Sequence, residues 1–182
     1  MGGDDRLRLF IALRLPEDAL DDVERWQRDE LHGVRLLGRE QLHVTLAFLG
    51  RRPVGEVDAI VAALREAVSR AGAIGLTPVR YRETRSVGML VLEDERGAAT
   101  ALANDVQERL ERLGVYEREA RAWLPHLTVA RWRERPRLQP EDPPGRTFVP
   151  SDAAAYLSRL RPGGAEYRVL ASVALEVSGG GE

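Results

Sequence analysis

The sequence contains no cysteine and no lysine, and it has only three histidines. Without cysteine the chain has no disulfide, no thiolate nucleophile and no zinc site built on cysteine, which excludes several enzyme classes. No apolar run approaches the roughly 20 residues that cross a bilayer. The run Leu9 to Leu13 is too short for the apolar core of a signal peptide. We therefore expect a cytoplasmic protein that makes no membrane contact.

The charge balance gives the chain no overall attraction to a polyanion. Its 27 basic residues are all arginine and face 29 acidic residues, for a formal net charge of −2. Any affinity for nucleic acid must then come from a local patch. Base composition of the gene explains the arginine bias most simply, although guanidinium groups also suit bidentate phosphate contacts. The 182 residues predict one compact domain over 1–177 and a C-terminal tail over 178–182.

A motif of histidine, apolar residue, threonine and apolar residue occurs twice, in the ranges 42–50 and 125–131. Both ranges are rich in aliphatic and β-branched side chains and read as strands. Because side chains alternate along a strand, His43 and Thr45 share one face with Ala47, and Phe48 falls on the opposite, apolar face. Two of the three histidines lie in this pattern, so a purely structural role for both is the weaker interpretation.

Hydrophobic periodicity predicts three helices. Apolar residues recur at helical spacing over 54–71 and from Leu102 to Leu113, and Gly114 is placed to end the second of these helices. Pro16 followed by two acids predicts the start of an earlier helix.

Strand-like runs separate these helices. They lie at 8–15, 34–37, 43–49, 76–81, 87–92, 126–132, 156–160 and 167–175, and 133–146 reads as an exposed loop. The two motif histidines are 83 positions apart, nearly half the chain. This spacing favours two similar lobes that face each other across a cleft, with helices on the outer faces of antiparallel or mixed sheets.

Two histidines on opposite sides of a substrate can act as acid and base in one displacement, since the ordinary pKa of histidine, about 6.5, lies near neutrality. The threonine hydroxyls suit the non-bridging oxygens of a phosphoryl group. This scheme requires no metal and no cofactor. Zinc binding is the alternative, but two histidines without a third histidine or a cysteine nearby make a poor ligand set. His32, at a predicted helix end, is assigned a capping role.

The sequence resembles the 2H phosphoesterase superfamily, and within it the RNA 2′,3′-cyclic phosphodiesterases of bacteria and archaea, once called 2′-5′ RNA ligases. The resemblance rests on the opening strand at 8–13, both motifs, and the closing segments Ser158-Arg159-Leu160, Pro162 to Ala165 and Tyr167. It implies an α+β, bilobal, duplicated fold. It also implies hydrolysis of a terminal 2′,3′-cyclic phosphate to a 2′-phosphomonoester without metal, in the context of RNA processing such as that of tRNA.

The resemblance implies a role for each motif residue. His126 would activate water as general base, and His43 would protonate the departing 3′ oxygen as general acid. Thr45 and Thr128 would hold the phosphate oxygens, and Arg131 would add positive charge. By strict alternation Arg131 lies on the face opposite His126, so this role requires a bulge or twist in the strand.

Aromatic side chains near the motifs are candidates for stacking on a nucleobase. Phe48 and Trp132 are the two we assign, with Trp123 a further candidate, although its position in the alternation favours a core role for Phe48. The arginines over 131–137 could follow an RNA backbone, but the acids and prolines between them also fit a solvated loop.

Two differences from the family pattern affect substrate recognition. They are the segment Val34 to Glu40 ahead of the first motif and Leu124, which stands where a basic residue is common.

Three other functions remain open at this level. The first is a non-catalytic RNA-binding module, which would be expected to carry clustered aromatics on a strand face. The second is a 2H phosphodiesterase for another small cyclic phosphate. The third is RNA ligation in the reverse direction, which would use the same histidines. We expect a monomer.

Overall fold

The computed structural model describes residues 5–175, so the predicted tail at 178–182 lies outside the described residues. This part of the chain contains eight strands and three α-helices. In chain order they are β1 (Arg6–Arg14), α1 (Glu17–Glu30), β2 (Arg35–Leu36), β3 (His43–Pro53), α2 (Val57–Ser69), β4 (Thr77–Glu83), β5 (Val87–Glu93), α3 (Ala98–Arg112), β6 (His126–Arg131), β7 (Asp152–Arg161) and β8 (Gly164–Ala174).

The strands form two four-stranded sheets in which every neighbouring pair is antiparallel. The first sheet has the order β3-β1-β7-β8, and the second has the order β2-β6-β5-β4. Each sheet carries one copy of the motif, on β3 and on β6, and these two strands contact each other. The predicted α+β fold with two sheets around a cleft is confirmed.

The helices cover the sheets on the side away from the cleft. Trp26 of α1 packs on Tyr81 of the second sheet, with ring centroids 5.8 Å apart. Helices α2 and α3 pack on each other and on strands of the first sheet. One continuous apolar cluster joins both sheets and all three helices, and residues such as Ile11, Leu64 and Leu127 in it are fully buried.

The predicted helices are confirmed with small shifts at their ends. A 3₁₀ turn at Val54–Glu56 precedes α2, so this helix begins at Val57. Gly114 follows α3 with φ of +73°, a left-handed conformation that favours glycine and ends the helix. Residues 133–146 contain no helix or strand, in agreement with the predicted loop. Within residues 5–175, none of the helices combines the length and the apolar character that spanning a membrane requires.

Candidate functional site

The cleft between the sheets holds a cavity of about 330 Å³, within the size range of small-ligand sites. All the predicted phosphate-site side chains line it: His43, Thr45, His126, Thr128 and Arg131. The duplicated motif therefore converges on one site, with one His-x-Thr pair from each sheet. Phe48 lines the cavity as well.

Both histidine rings are held by the same local hydrogen bond. Nδ1 of His43 donates to the Gln41 carbonyl at 2.7 Å, and Nδ1 of His126 donates to the Leu124 carbonyl at 2.8 Å. Because a carbonyl can only accept, each neutral ring carries its proton on Nδ1 and presents Nε2 as a hydrogen-bond acceptor. Nε2 of His43 lies 3.1 Å from the Thr45 hydroxyl. This geometry prepares Nε2 of each ring to exchange a proton with a ligand.

His43 lies in an aromatic environment on the floor of the cleft. The centroid of its ring is 4.8 Å from that of Phe10 and 5.4 Å from that of Tyr167. Burial lowers the pKa of His43 to about 4, the charges of His126 and Arg131 act in the same direction, and the hydrogen bond to the Gln41 carbonyl opposes them. His43 is therefore neutral at pH 7 in the ligand-free protein.

A β-bulge follows the threonine in both motif strands. In β3, Thr45 and Ala47 pair with the consecutive residues Ala12 and Ile11, so Leu46 is the extra residue. In β6, Thr128 and Ala130 pair with the consecutive residues Met89 and Gly88, so Val129 is the extra residue. The pattern of alternation changes at each bulge.

The bulges explain why the predicted faces of Ala47 and Phe48 were wrong. They also provide the bulge that the predicted role of Arg131 required. Ala47 and Phe48 were expected on the cleft face and the apolar face, respectively. Beyond the bulge Ala47 is buried in the core, whereas Phe48 is 49% exposed and lines the cavity. The equivalent bulge in β6 lets Arg131 line the same cavity as His126. Phe48 and Arg131 thus occupy equivalent positions in the two motifs.

A buried glutamine stands behind each bulge. Nε2 of Gln27 in α1 donates to the Val129 carbonyl at 2.8 Å and to the Leu37 carbonyl at 3.1 Å. Nε2 of Gln107 in α3 donates to the Leu46 carbonyl at 2.8 Å. Leu46 and Val129 are the extra residues of the two bulges. Gln107 thus gives the Leu46 carbonyl a donor, and Gln27 gives a second donor to the Val129 carbonyl, which also accepts from the Leu37 backbone N–H at 3.0 Å.

Replacing either glutamine by methionine keeps the side-chain size and removes the donor. We expect Gln27→Met and Gln107→Met each to lower the free energy of unfolding by about 1–3 kcal/mol, because a buried carbonyl loses a hydrogen bond. Urea denaturation measures this loss. Gln139→Met, at an exposed position, is the control and should change stability by less than about 0.5 kcal/mol. An equally small effect at the two buried sites would show that the bulges do not depend on them.

The tryptophans proposed as stacking surfaces lie outside the cavity lining. Nε1 of Trp123 donates to the Thr45 carbonyl at 3.0 Å, which connects this ring to the backbone of the first motif strand. The Trp132 ring lies over Gly88, and its Nε1 donates to the Thr84 carbonyl at 3.3 Å. Among the candidate stacking residues, Phe48 is the one that lines the cavity.

The third histidine has the expected position. His32 Nε2 lies 2.9 Å from the Asp29 carbonyl at the end of α1, in agreement with a capping role.

Several cavity residues were not predicted from the sequence. Arg8 contacts the Phe48 ring, with its guanidinium carbon 4.8 Å from the centroid, and its Nη1 lies 3.4 Å from the Ser158 hydroxyl. Tyr167, from β8, packs edge-on against His43. Arg8 and Phe10 are two positions apart in β1 and so share one face, but the apolar run in this strand predicted burial on both faces.

No group of three or more His, Cys, Asp or Glu side chains suited to a metal occurs among residues 5–175.

Two sheets that each present a His-x-Thr strand to one cleft define a two-histidine phosphoesterase. The family model of the 2′-5′ RNA ligase superfamily matches residues 15–143, which include both motifs. The chain belongs to this superfamily, as its resemblance to the 2H phosphoesterases predicts.

Named relatives and solved structures agree with this assignment. An RNA 2′,3′-cyclic phosphodiesterase of Methanocaldococcus jannaschii is 23% identical over 129 residues, which cover 69% of this chain and 71% of that protein. One from Geobacillus stearothermophilus is 27% identical over 75% of this chain and 46% of that protein. The crystal structure of TT0787 of Thermus thermophilus matches with a TM-score of 0.78 and 28% identity, over 93% of this chain and 98% of that chain.

The fold is also that of E. coli LigT complexed with 3′-AMP. That match has a TM-score of 0.81 and 22% identity, and it covers 94% of this chain and 99% of the other.

Proposed function

We propose that the protein hydrolyses RNA or nucleotide 2′,3′-cyclic phosphate ends to 2′-phosphomonoesters. The observation that carries this proposal is the convergence of two His-x-Thr pairs and Arg131 on one cavity. The names of the relatives from M. jannaschii and G. stearothermophilus support the substrate class.

In the proposed reaction one histidine accepts a proton from water and the other donates a proton to the leaving oxygen. Water attacks phosphorus while Nε2 of His126 takes its proton, and the bond from phosphorus to O3′ breaks as Nε2 of His43 protonates O3′. The product carries a 2′-phosphate and a free 3′ hydroxyl. The assignment of base and acid to the two histidines follows the family resemblance. Because the bound cyclic phosphate is an anion, it favours the protonated form of His43 and so opposes the low pKa of this residue in the free protein.

Thr45, Thr128 and Arg131 have positioning and charge-stabilising roles in this scheme. Hydroxyl and guanidinium donors would bind the non-bridging oxygens, on which negative charge gathers in the transition state. In the free protein the Thr45 hydroxyl lies 3.1 Å from Nε2 of His43. Substrate would replace this contact with one to phosphate. We assign nucleobase stacking to Phe48, since it is half exposed at the cavity wall.

The same site would serve 2′-5′ ligation with a free 5′ hydroxyl in place of water. The 5′ oxygen then attacks phosphorus while His126 takes its proton, and the bond from phosphorus to O3′ breaks as His43 protonates O3′, which leaves a 2′-5′ phosphodiester and a free 3′ hydroxyl. The proposal thus covers both nucleophiles, water and a 5′ hydroxyl, with the same roles for the two histidines.

The pH dependence of kcat/KM follows from the low pKa of His43. We expect the acid limb of the profile near pH 4, because full protonation of the pair removes the base. Either histidine can carry the single working proton, and both arrangements give the same profile, so this result does not depend on which one is the base. Steady-state rates between pH 3.5 and 9, with circular dichroism as a check on folding, measure it. An acid limb near pH 6.5, the ordinary histidine value, would contradict the burial of His43.

Turnover in the presence of a chelator tests the proposal against an RNA-binding role. The purified protein, in excess EDTA, is incubated with cytidine 2′,3′-cyclic phosphate and with an octanucleotide that ends in a 2′,3′-cyclic phosphate. Hydrolysis of either substrate supports the proposal, including its independence of metal. Binding of the octanucleotide without hydrolysis, with or without added divalent cations, would contradict it and favour a non-catalytic module.

A further inference from the structure

An arginine-rich groove continues from the catalytic cavity along the first sheet. Its volume is about 600 Å³, and it shares Arg8, Ser158 and Leu160 with the cavity. Beyond this shared boundary, β3 contributes Arg51, and the β7 end contributes Arg159 and Arg161. We call this surface the arginine groove. It gives the cavity an open end on the side of β1, β3 and β7.

The charged side chains that line the groove are positive. Among residues 5–175, five arginines line it and no aspartate or glutamate does. Arg8 and Arg51 stand directly opposite each other in the β1–β3 register. Like charges at such positions destabilise a sheet. Within residues 5–175, none of the ion pairs involves Arg8, Arg51 or Arg159, although the chain has 29 acidic residues to supply partners.

We propose that the arginine groove binds the sugar-phosphate backbone of a single-stranded RNA whose cyclic-phosphate end occupies the cavity. This inference rests on the proposed function and extends it to a chain of nucleotides. It makes an oligonucleotide the preferred substrate and gives the path by which the RNA strand leaves the cavity.

The geometry favours a strand over a single nucleotide. A cavity of about 330 Å³ suits one nucleotide, so a longer substrate must leave through an opening. The arginine groove begins where Arg8 lies over the Phe48 ring, so a base stacked on Phe48 would be followed by phosphates at the arginines. Arg51 and Arg159, which belong to none of the ion pairs within residues 5–175, suit successive phosphates because guanidinium groups bind phosphate oxygens in a bidentate manner.

The test compares two substrates in each variant. The ratio of kcat/KM for the octanucleotide to kcat/KM for cytidine 2′,3′-cyclic phosphate measures the contribution of the groove. We expect this ratio to exceed one in the unmodified protein and to fall about fivefold in Arg51→Gln. Arg51→Lys keeps the charge and should retain most of the ratio. The control is Arg65→Gln, at an exposed position on α2, and it should leave the ratio unchanged.

Salt dependence gives a second readout. The slope of log KM for the octanucleotide against log salt should decrease by about 0.7 in Arg51→Gln, the value for one phosphate contact on a single strand. Removing one of two opposed like charges should leave the melting temperature of Arg51→Gln unchanged or raised, which separates this effect from a loss of folding.

The experiment distinguishes failure of the arginine groove from failure of the proposed function. A ratio near one, or an equal ratio in Arg51→Gln and the unmodified protein, would overturn the groove while the proposed function stands. If neither substrate is turned over, the proposed function fails, and fluorescence anisotropy with an octanucleotide 2′-phosphate then tests the groove directly. Weaker binding of this probe by Arg51→Gln than by Arg65→Gln would support the groove, and equal binding would overturn it.

Discussion

Replacing His43 or His126 by alanine is expected to lower kcat for 2′,3′-cyclic phosphate hydrolysis by about 10²- to 10⁴-fold. Loss of a positioned general acid or base has this magnitude. Both rings line the cavity and present Nε2 to it, because their Nδ1 atoms are held by the Gln41 and Leu124 carbonyls. Steady-state kinetics on cytidine 2′,3′-cyclic phosphate at pH 7 provide the measurement.

The chain supplies its own control for this experiment. His32 is exposed at the end of α1, and His32→Ala should leave kcat within about twofold. The double variant His43→Ala, His126→Ala should lose little more activity than the weaker single variant, because residues that act as a unit give non-additive losses. Folded single variants with more than half of the original kcat would remove the two-histidine mechanism.

Replacing Arg131 by glutamine is expected to lower kcat/KM by about 100-fold. Removing one donor to transition-state charge has an effect of this order. Arg131 lines the same cavity as both histidines, because the bulge at Val129 changes the alternation of β6. Arg131→Lys should recover part of the loss, since it keeps the charge without the bidentate geometry.

Arg133→Gln is the matched control for Arg131. Arg133 is exposed just beyond the end of β6 and is not among the residues that line the cavity, so its loss should change kcat/KM by less than about threefold. Equal losses at positions 131 and 133 would mean that general charge, rather than the bulge, accounts for the effect.

The sequence predicted the helices and strands. In each motif strand it also predicted which residues face the cleft, as far along the strand as the threonine. Periodicity located the three helices, and alternation placed His43 with Thr45 and Val44 with the core. It failed for Phe48 because a bulge adds one residue, and neither Leu46 nor Val129 differs in type from an ordinary strand residue. Strict alternation therefore gave the wrong face for Ala47 and Phe48 in β3 and for Arg131 in β6.

The sequence contained one overlooked signal for the bulges. Gln27 and Gln107 lie on the apolar stripes of their helices, where a polar side chain needs a buried partner. A glutamine at such a position predicts a backbone carbonyl, on the element that the helix packs against, that accepts a hydrogen bond from its side chain. Which carbonyl that is depends on the packing of helices on sheets, and one sequence does not specify it.

The arginine groove could not be predicted from the sequence, for a different reason. Arg8 and Arg51 are far apart in the chain, and only the β1–β3 register brings them opposite each other. The sequence pattern indicated the arginines at 131–137 instead. Of these, Arg131 lines the cavity, whereas Arg135 pairs with Glu83 at 3.0 Å.

Identification of the product tests the central claim most directly. The purified protein, in EDTA, is incubated with an octanucleotide that ends in a 2′,3′-cyclic phosphate, and ³¹P NMR follows the terminal phosphate. The two-histidine mechanism predicts conversion to a 2′-phosphomonoester by the unmodified protein and by His32→Ala, with no conversion by His126→Ala on the same timescale. A 3′-phosphate product, or equal conversion by His126→Ala, would contradict the mechanism.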